Sequence, residues 1–277
     1  MTDDQVAFRT GSIWIGVHDA LSARMAARAG APGIWLSSFG VSASLKASPD
    51  NSLLFASEMM EVARQCCFAA ESTPVIVDCD TGYGDAGSVA FVARQYIDST
   101  TVTAICIEDK VFPKRNAMDD VGSQGLEPPE VLEAKIAAAR SARGSTARPL
   151  LIARTEALVF HAGVEEAVQR LVRYAAAGAD ALLVQATAPL DYLLLAGLRA
   201  KQATGLPMVA VPTSFPDEPA TTFWNAGFDV VVRSHQLLQA AAAAQAAVLG
   251  PLLDGSVRPR DLPVQLTDHA QLNVRRL

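Results

Sequence analysis

Two apolar runs in this sequence end in acids, and these acids carry the first sign of chemistry. Val77-Asp-Cys-Asp-Thr-Gly-Tyr-Gly84 and Ile107-Glu-Asp-Lys-Val-Phe-Pro-Lys-Arg-Asn116 each begin like a strand and pass into carboxylates. In an extended strand alternate side chains share a face, so Asp78 and Asp80 are predicted to point one way and Cys79 the other. Two carboxylates converging at a strand end are costly unless a cation, a proton or a basic side chain balances them. A divalent metal held by oxygen ligands is the most economical balance, with Glu108 closing an acidic bowl. A third run, Leu150–Arg154, buries a guanidinium in apolar sequence. That charge needs an anion, either a substrate or an acid such as Glu156 or Glu108.

The elements that must position these residues follow from periodicity. Strands are predicted at Ser12–Val17, Gly33–Ser37, Val75–Asp78, Ala104–Glu108, Leu150–Arg154, Ala181–Val184, Met208–Val211 and Val230–Val232. Helical spacing separates them, at Ala20–Ala29, Ser57–Ala70, Ala86–Ser99, Glu130–Arg143, Gly163–Ala177 and Leu190–Thr204, with a helical segment after each of the last two strands. Leu21, Met25 and Ala29 form the apolar stripe of the first helix. A Ser- and Gly-containing loop is expected between the second strand and Pro49-Asp50. Eight continuous apolar strands alternating with eight helices predict a closed parallel (β/α)8 barrel of the TIM type, one domain over residues 1–277 with a tail at 255–277. An open doubly wound sheet is the rival, and it would need fewer strands.

In such a barrel, active-site residues lie at the carboxyl ends of the strands. Asp19, Ser37, Ser38, Asp78, Asp80, Glu108, Arg154, Gln185 and Thr213 fall there. Acids, hydroxyls and one Arg on a single rim suit a metal and a small, multiply anionic ligand. His18 and His235 are expected to satisfy neighbouring backbone groups, Cys79 and Cys106 to lie in the core, and Cys66-Cys67 to sit inside a helix.

Half of the 277 residues are hydrophobic and 19% are charged, enough for a large core. The net charge of −6 argues against nucleic-acid or anionic-membrane partners. Four cysteines without C-x-x-C spacing, and a start lacking a basic and apolar leader pattern, predict a reduced, cytoplasmic protein. The apolar stretch Leu237–Leu253 contains Gln239 and Gln245 and is expected not to span a membrane.

With these residues laid out, the chain resembles the phosphoenolpyruvate mutase/isocitrate lyase superfamily over about residues 12 to 250. The resemblance rests on Asp78-Cys-Asp-Thr-Gly-Tyr-Gly84, Glu108-Asp-Lys-Val-Phe-Pro-Lys-Arg-Asn116, Ile152-Ala-Arg-Thr-Glu156 and Gly33-Ile-Trp-Leu-Ser-Ser-Phe39. It is nearest to the phosphoenolpyruvate mutases, which interconvert phosphoenolpyruvate and phosphonopyruvate for phosphonate biosynthesis. It implies Mg2+, with Mn2+ or Co2+ as substitutes, bound directly by Asp78 and through water by Asp80, Glu108 and Asp50. It also implies substrate contacts from Trp35, Ser37, Ser38, Phe39, Arg154, Gln185 and Thr213, catalytic roles for Asp50, Lys114, Asn116 and Arg154, and a loop at Lys110–Asn116 that closes over the site. The implied chemistry is a metaphosphate-like transfer through a Mg2+-stabilised pyruvate enolate. A homo-oligomer, dimer or tetramer, is expected, with a C-terminal helix involved.

Asn116 favours the mutase over the related phosphonopyruvate hydrolases, which tend to carry Thr there. The loop also lacks the Cys of the carbon–carbon lyases. Gln185 stands where mutases and hydrolases tend to have His, Ala117 replaces a common Ser, and Arg233-Ser-His235 departs from an Asn-rich end. The alternatives are hydrolysis of phosphonopyruvate, another lyase activity, or a metal-binding barrel that keeps a ligand without turnover.

Overall fold

A computed structural model describes residues 8–115, 124–187, 189–255 and 257–267. Eight strands form one closed parallel barrel in sequence order, β1 to β8, with β8 returning to β1. They are β1 (Ser12–Val17), β2 (Ile34–Leu36), β3 (Val75–Asp78), β4 (Ala104–Glu108), β5 (Leu150–Thr155), β6 (Ala181–Val184), β7 (Met208–Ala210) and β8 (Val230–Arg233). The runs are apolar throughout because both faces are buried. One face fills the barrel and the other meets the helices.

Trp14, Trp35, Ile76, Cys106, Ile152, Leu183, Val209 and Val232 fill the barrel interior, and Phe8 packs on Trp14 at 5.4 Å. A second, larger cluster lies between the strands and the helices; it includes Leu36, Val77, Ile105 and Leu182, and also Cys79. At β1 a Cβ on Gly16 would lie 1.9 Å from the Ser234 carbonyl oxygen. Only glycine therefore lets the end of β8 close against β1 and deliver Ser234 to the rim.

The helices among the described residues are α1 (Ala20–Arg28), α2 (Ser38–Lys46), α3 (Ala56–Ala70), α4 (Ala86–Ser99), α5 (Pro129–Arg143), α6 (Gly163–Ala177), α7 (Leu190–Thr204), α8 (Ala220–Asn225) and α9 (Gln236–Asp254). Helix α2 corrects the expected loop. The Ser37 hydroxyl caps it by accepting from the Gly40 N–H at 3.2 Å, and Ser38, Gly40, Val41 and Ser42 are buried. Tertiary packing thus overrides a Ser-rich sequence of modest helix propensity. The α1 stripe is also corrected. Leu21 and Met25 are exposed, and Ser22, Ala23 and Ala26 face the barrel. Helix α9 buries none of its residues, and with 19 residues and a mean hydropathy of 1.3 it is long and apolar enough to cross a membrane. All four cysteines are free and buried, with Cys66 and Cys67 inside α3 as expected.

Candidate active site

The carboxyl ends of the strands enclose a small cavity of about 50 Å³. Trp35, Ser37, Ser38 and Phe39 come from β2 and the start of α2, and Asp50 from the segment after it. Asp78 ends β3, Arg154 lies near the end of β5, and Gln185 follows β6. Lys110, Lys114, Val211, Thr213, Ser234 and His235 complete the lining. Ten residues singled out from the sequence meet here. Asn116 and Ala117 lie outside the described residues.

Asp80 and Glu108 lie against this cavity in a buried ion-pair cluster. Lys114 Nζ is 2.6 Å from Asp50 Oδ2 and 2.8 Å from Asp80 Oδ1, the second contact being an ion pair without hydrogen-bond geometry. Arg154 Nε pairs with Glu156 and lies 3.2 Å from Glu108 Oε2, and Arg154 Nη1 is 3.6 Å from Asp78. Lys110 Nζ sits between Glu108 at 3.7 Å and Glu156 at 3.4 Å. The anions of Arg154 are therefore Glu156, Glu108 and Asp78.

The alternation expected of Asp78 and Asp80 stops at Asp78, where β3 ends. Asp80 has φ of +51°, and this left-handed residue turns its carboxylate back toward Lys114. Cys79 points away into the outer layer, 3.9 Å from the Tyr96 hydroxyl, and burial raises its thiol pKa.

Burial sets most of the electrostatics. It raises Asp80 to about 7, with Lys114 opposing and Asp50, Asp78 and Glu108 adding to the rise. Burial likewise raises Asp78 and Glu156 against the pull of Arg154. For Glu108, burial is outweighed by Lys110, Arg154 and Lys114 together, and the carboxyl is held at about 2. Lys114 loses to burial less than it gains from Asp80, Asp50, Glu108 and Asp78, so its pKa stands well above the usual range.

The donor set fits a hard divalent cation. With every group ionised, five buried carboxylates, Asp50, Asp78, Asp80, Glu108 and Glu156, would face three cations, Lys110, Lys114 and Arg154, leaving two negative charges. Asp80 Oδ1 and Glu108 Oε1 are buried without a hydrogen-bond partner. A divalent ion on oxygen ligands would meet both the charge and the orphan oxygens. The described residues contain no group of three His, Cys, Asp or Glu side chains already gathered for a metal. Protein cations stand among the acids in their place.

Three lining residues were missed or undervalued from sequence. Lys110, expected only as the start of a loop closing over the site, is 1% exposed. His235 lines the cavity and packs on Phe39 at 4.6 Å, and burial lowers its pKa. Ser234 contacts Thr213 at 3.1 Å. Lys110 stands just past β4, and Ser234 and His235 just past β8; that position was the available signal, since the strands' carboxyl ends supply this rim.

Residues 9–252 match the family described as phosphoenolpyruvate phosphomutase. A phosphonopyruvate hydrolase from Variovorax sp. (strain Pal2) is 36% identical over 249 residues, covering 89% of this chain and 84% of its own. The crystal structure of a phosphoenolpyruvate phosphomutase from Streptomyces platensis subsp. rosaceus superposes with a TM-score of 0.81 at 35% identity, covering 92% of this chain and 90% of that one. A phosphonopyruvate hydrolase in complex with oxalate and Mg2+ gives the same TM-score at 32% identity, covering 98% and 94%. The acid-ended barrel rim and these matches agree, and the chain belongs to the phosphoenolpyruvate phosphomutase family of the phosphoenolpyruvate mutase/isocitrate lyase superfamily.

Proposed function

We propose that the protein is a Mg2+-dependent phosphoenolpyruvate mutase, interconverting phosphoenolpyruvate and phosphonopyruvate. The observation that carries this reading is the two-signed lining of one small cavity, where Asp50 and Asp78 meet Lys110, Lys114 and Arg154 at the barrel rim. Asp78, Asp80, Glu108 and Asp50 are the residues that would hold the metal, which supplies positive charge against the carboxylate and 2-oxo oxygens of a pyruvyl unit. Ser37 and Ser38, both nearly fully buried, flank that unit.

Moving phosphorus between oxygen and carbon through a loose transfer needs positioning and charge neutralisation more than a base. Arg154 and Lys114 supply fixed positive charge at the migrating group, and burial keeps water from intercepting it. The family resemblance assigns Asn116 to the same group.

Hydrolysis of phosphonopyruvate to pyruvate and phosphate is the second reading, favoured by the 36% identity to a hydrolase. A 31P spectrum of the protein with Mg2+ and phosphonopyruvate separates the readings. A phosphoenolpyruvate signal is the expected result. Free phosphate alone would assign hydrolysis, and an unchanged spectrum would overturn both.

A further inference from the structure

One wall of the cavity differs from the rest. Lys110, Lys114 and Arg154 are all on the side of β3 to β5, whereas Gln185, Thr213, Ser234 and His235 bring no paired charge from the ends of β6 to β8. Gln185 is 6% exposed, its backbone N–H donates to Thr155 at 3.0 Å, and its side-chain Oε1 is buried without any hydrogen-bond partner. Thr213 and Ser234 line the same cavity with hydroxyls 3.1 Å apart. A carboxamide offers an acceptor as well as donors, and a buried acceptor left unmet is costly. A fully ionised acid group carries acceptors alone and cannot meet it.

The charge count points the same way. A divalent metal would neutralise the excess on the five carboxylates, and Lys110, Lys114 and Arg154 are already paired with them. A substrate carboxylate then adds one negative charge, and a doubly ionised phosphonyl group would add two more in a buried site. Every hydrogen retained on the substrate's acidic oxygens lowers that load.

We propose that Gln185, Thr213 and Ser234 form a subsite for a substrate group that carries an O–H hydrogen, donated to Gln185 Oε1. This rests on the site holding a metal-bound 2-oxo acid, but not on the choice between mutase and hydrolase. The hydrogen has two sources, the P–OH of a singly protonated phosphonyl group or an alcohol on the acid. Calorimetry with Mg2+ distinguishes them, using oxalate, phosphonopyruvate, 3-hydroxypyruvate and 3-sulfopyruvate, the last matching the phosphonate in shape without an O–H.

The nearly isosteric Gln185→Met is expected to weaken at least one O–H-bearing acid by about tenfold, the cost of one buried hydrogen bond, while oxalate and 3-sulfopyruvate stay within about twofold. A loss confined to phosphonopyruvate identifies P–OH, and a loss for 3-hydroxypyruvate the alcohol. An equal loss for 3-sulfopyruvate, or none for either O–H-bearing acid, overturns the subsite. Thr213→Val tests the same wall if Gln185→Met does not fold. Failure of the wild-type protein to bind oxalate with Mg2+ overturns the metal-bound acid itself, and the subsite with it.

Discussion

Glu108 and Asp109 are consecutive residues at the end of β4, both buried, yet they sit in opposite kinds of charge cluster. Asp109 is fully answered. Its Oδ2 accepts from Thr155 Oγ1 at 2.7 Å, Tyr174 OH at 2.8 Å and Arg170 Nη1 at 3.2 Å, and its Oδ1 accepts from the Glu156 N–H at 2.8 Å. Glu108 belongs to a cluster with too few cations, and its Oε1 has no hydrogen-bond partner. A satisfied network offsets much of the desolvation of its charges and holds strand ends in place, whereas an unsatisfied one is tolerated where a ligand completes it. The contrast assigns structure to one residue and chemistry to its neighbour.

The comparison can be broken most decisively from the ligand side. Asp78→Ala is expected to lower Mg2+-dependent turnover on the order of 10³-fold, since several kcal/mol of charge stabilisation go with the metal. Its melting temperature should hold or rise, because one of five crowded carboxylates is gone. Full activity in chelated buffer would remove the metal from the account. Asp109→Ala should do the reverse, costing about 3–5 kcal/mol in urea denaturation by leaving Arg170 without its buried partner. A loss below about 1 kcal/mol would erase the distinction between the clusters.

A subtler test uses pH. Asp80 is raised from 3.8 to about 7, so the metal-free folded state holds a proton that the unfolded chain has lost. Its contribution to stability therefore declines as pH rises from 3.8 to about 7 and is level above that. Mg2+ must displace this proton, so the rise in melting temperature that it causes should grow up to pH about 7 and then flatten. A Mg2+ effect that is constant between pH 5 and 8 would exclude Asp80 from the metal's surroundings. The smallest expected effect is that of Asn116→Thr, which should raise the share of phosphate among the products of phosphonopyruvate. An unchanged ratio would remove Asn116 as the residue that keeps water from the migrating group.

The strands were legible because a buried parallel strand is a continuous apolar run; four of the eight, β1, β3, β4 and β6, have their expected bounds. Helix α2 was not, because Ser37 capping and burial of Ser38, Gly40 and Val41 are supplied by the completed barrel. The acids were found as strand-end residues, but pattern reasoning placed Asp80 by strand alternation when a left-handed turn delivers it. Pairings were the least legible part. Glu156 and Glu108 were named as candidate anions for Arg154, but that it is shared among both and Asp78 was not legible, since Asp78 and Glu108 arrive from other strands. His235 was underrated because a single histidine carries no periodicity.

Lys114 gives the acidic cluster a last property. With its ammonium 2.6 Å from Asp50 and 2.8 Å from Asp80, it stands where part of a metal's ligand shell would be. It is in effect a competitor tethered to the chain, present at a fixed local concentration and impossible to dialyse away. Binding at the two partners is reciprocal: whatever strengthens the lysine's hold on Asp50 and Asp80 weakens Mg2+ by the same factor, and the reverse. A metal that entered this cluster would have to displace the lysine from these two acids.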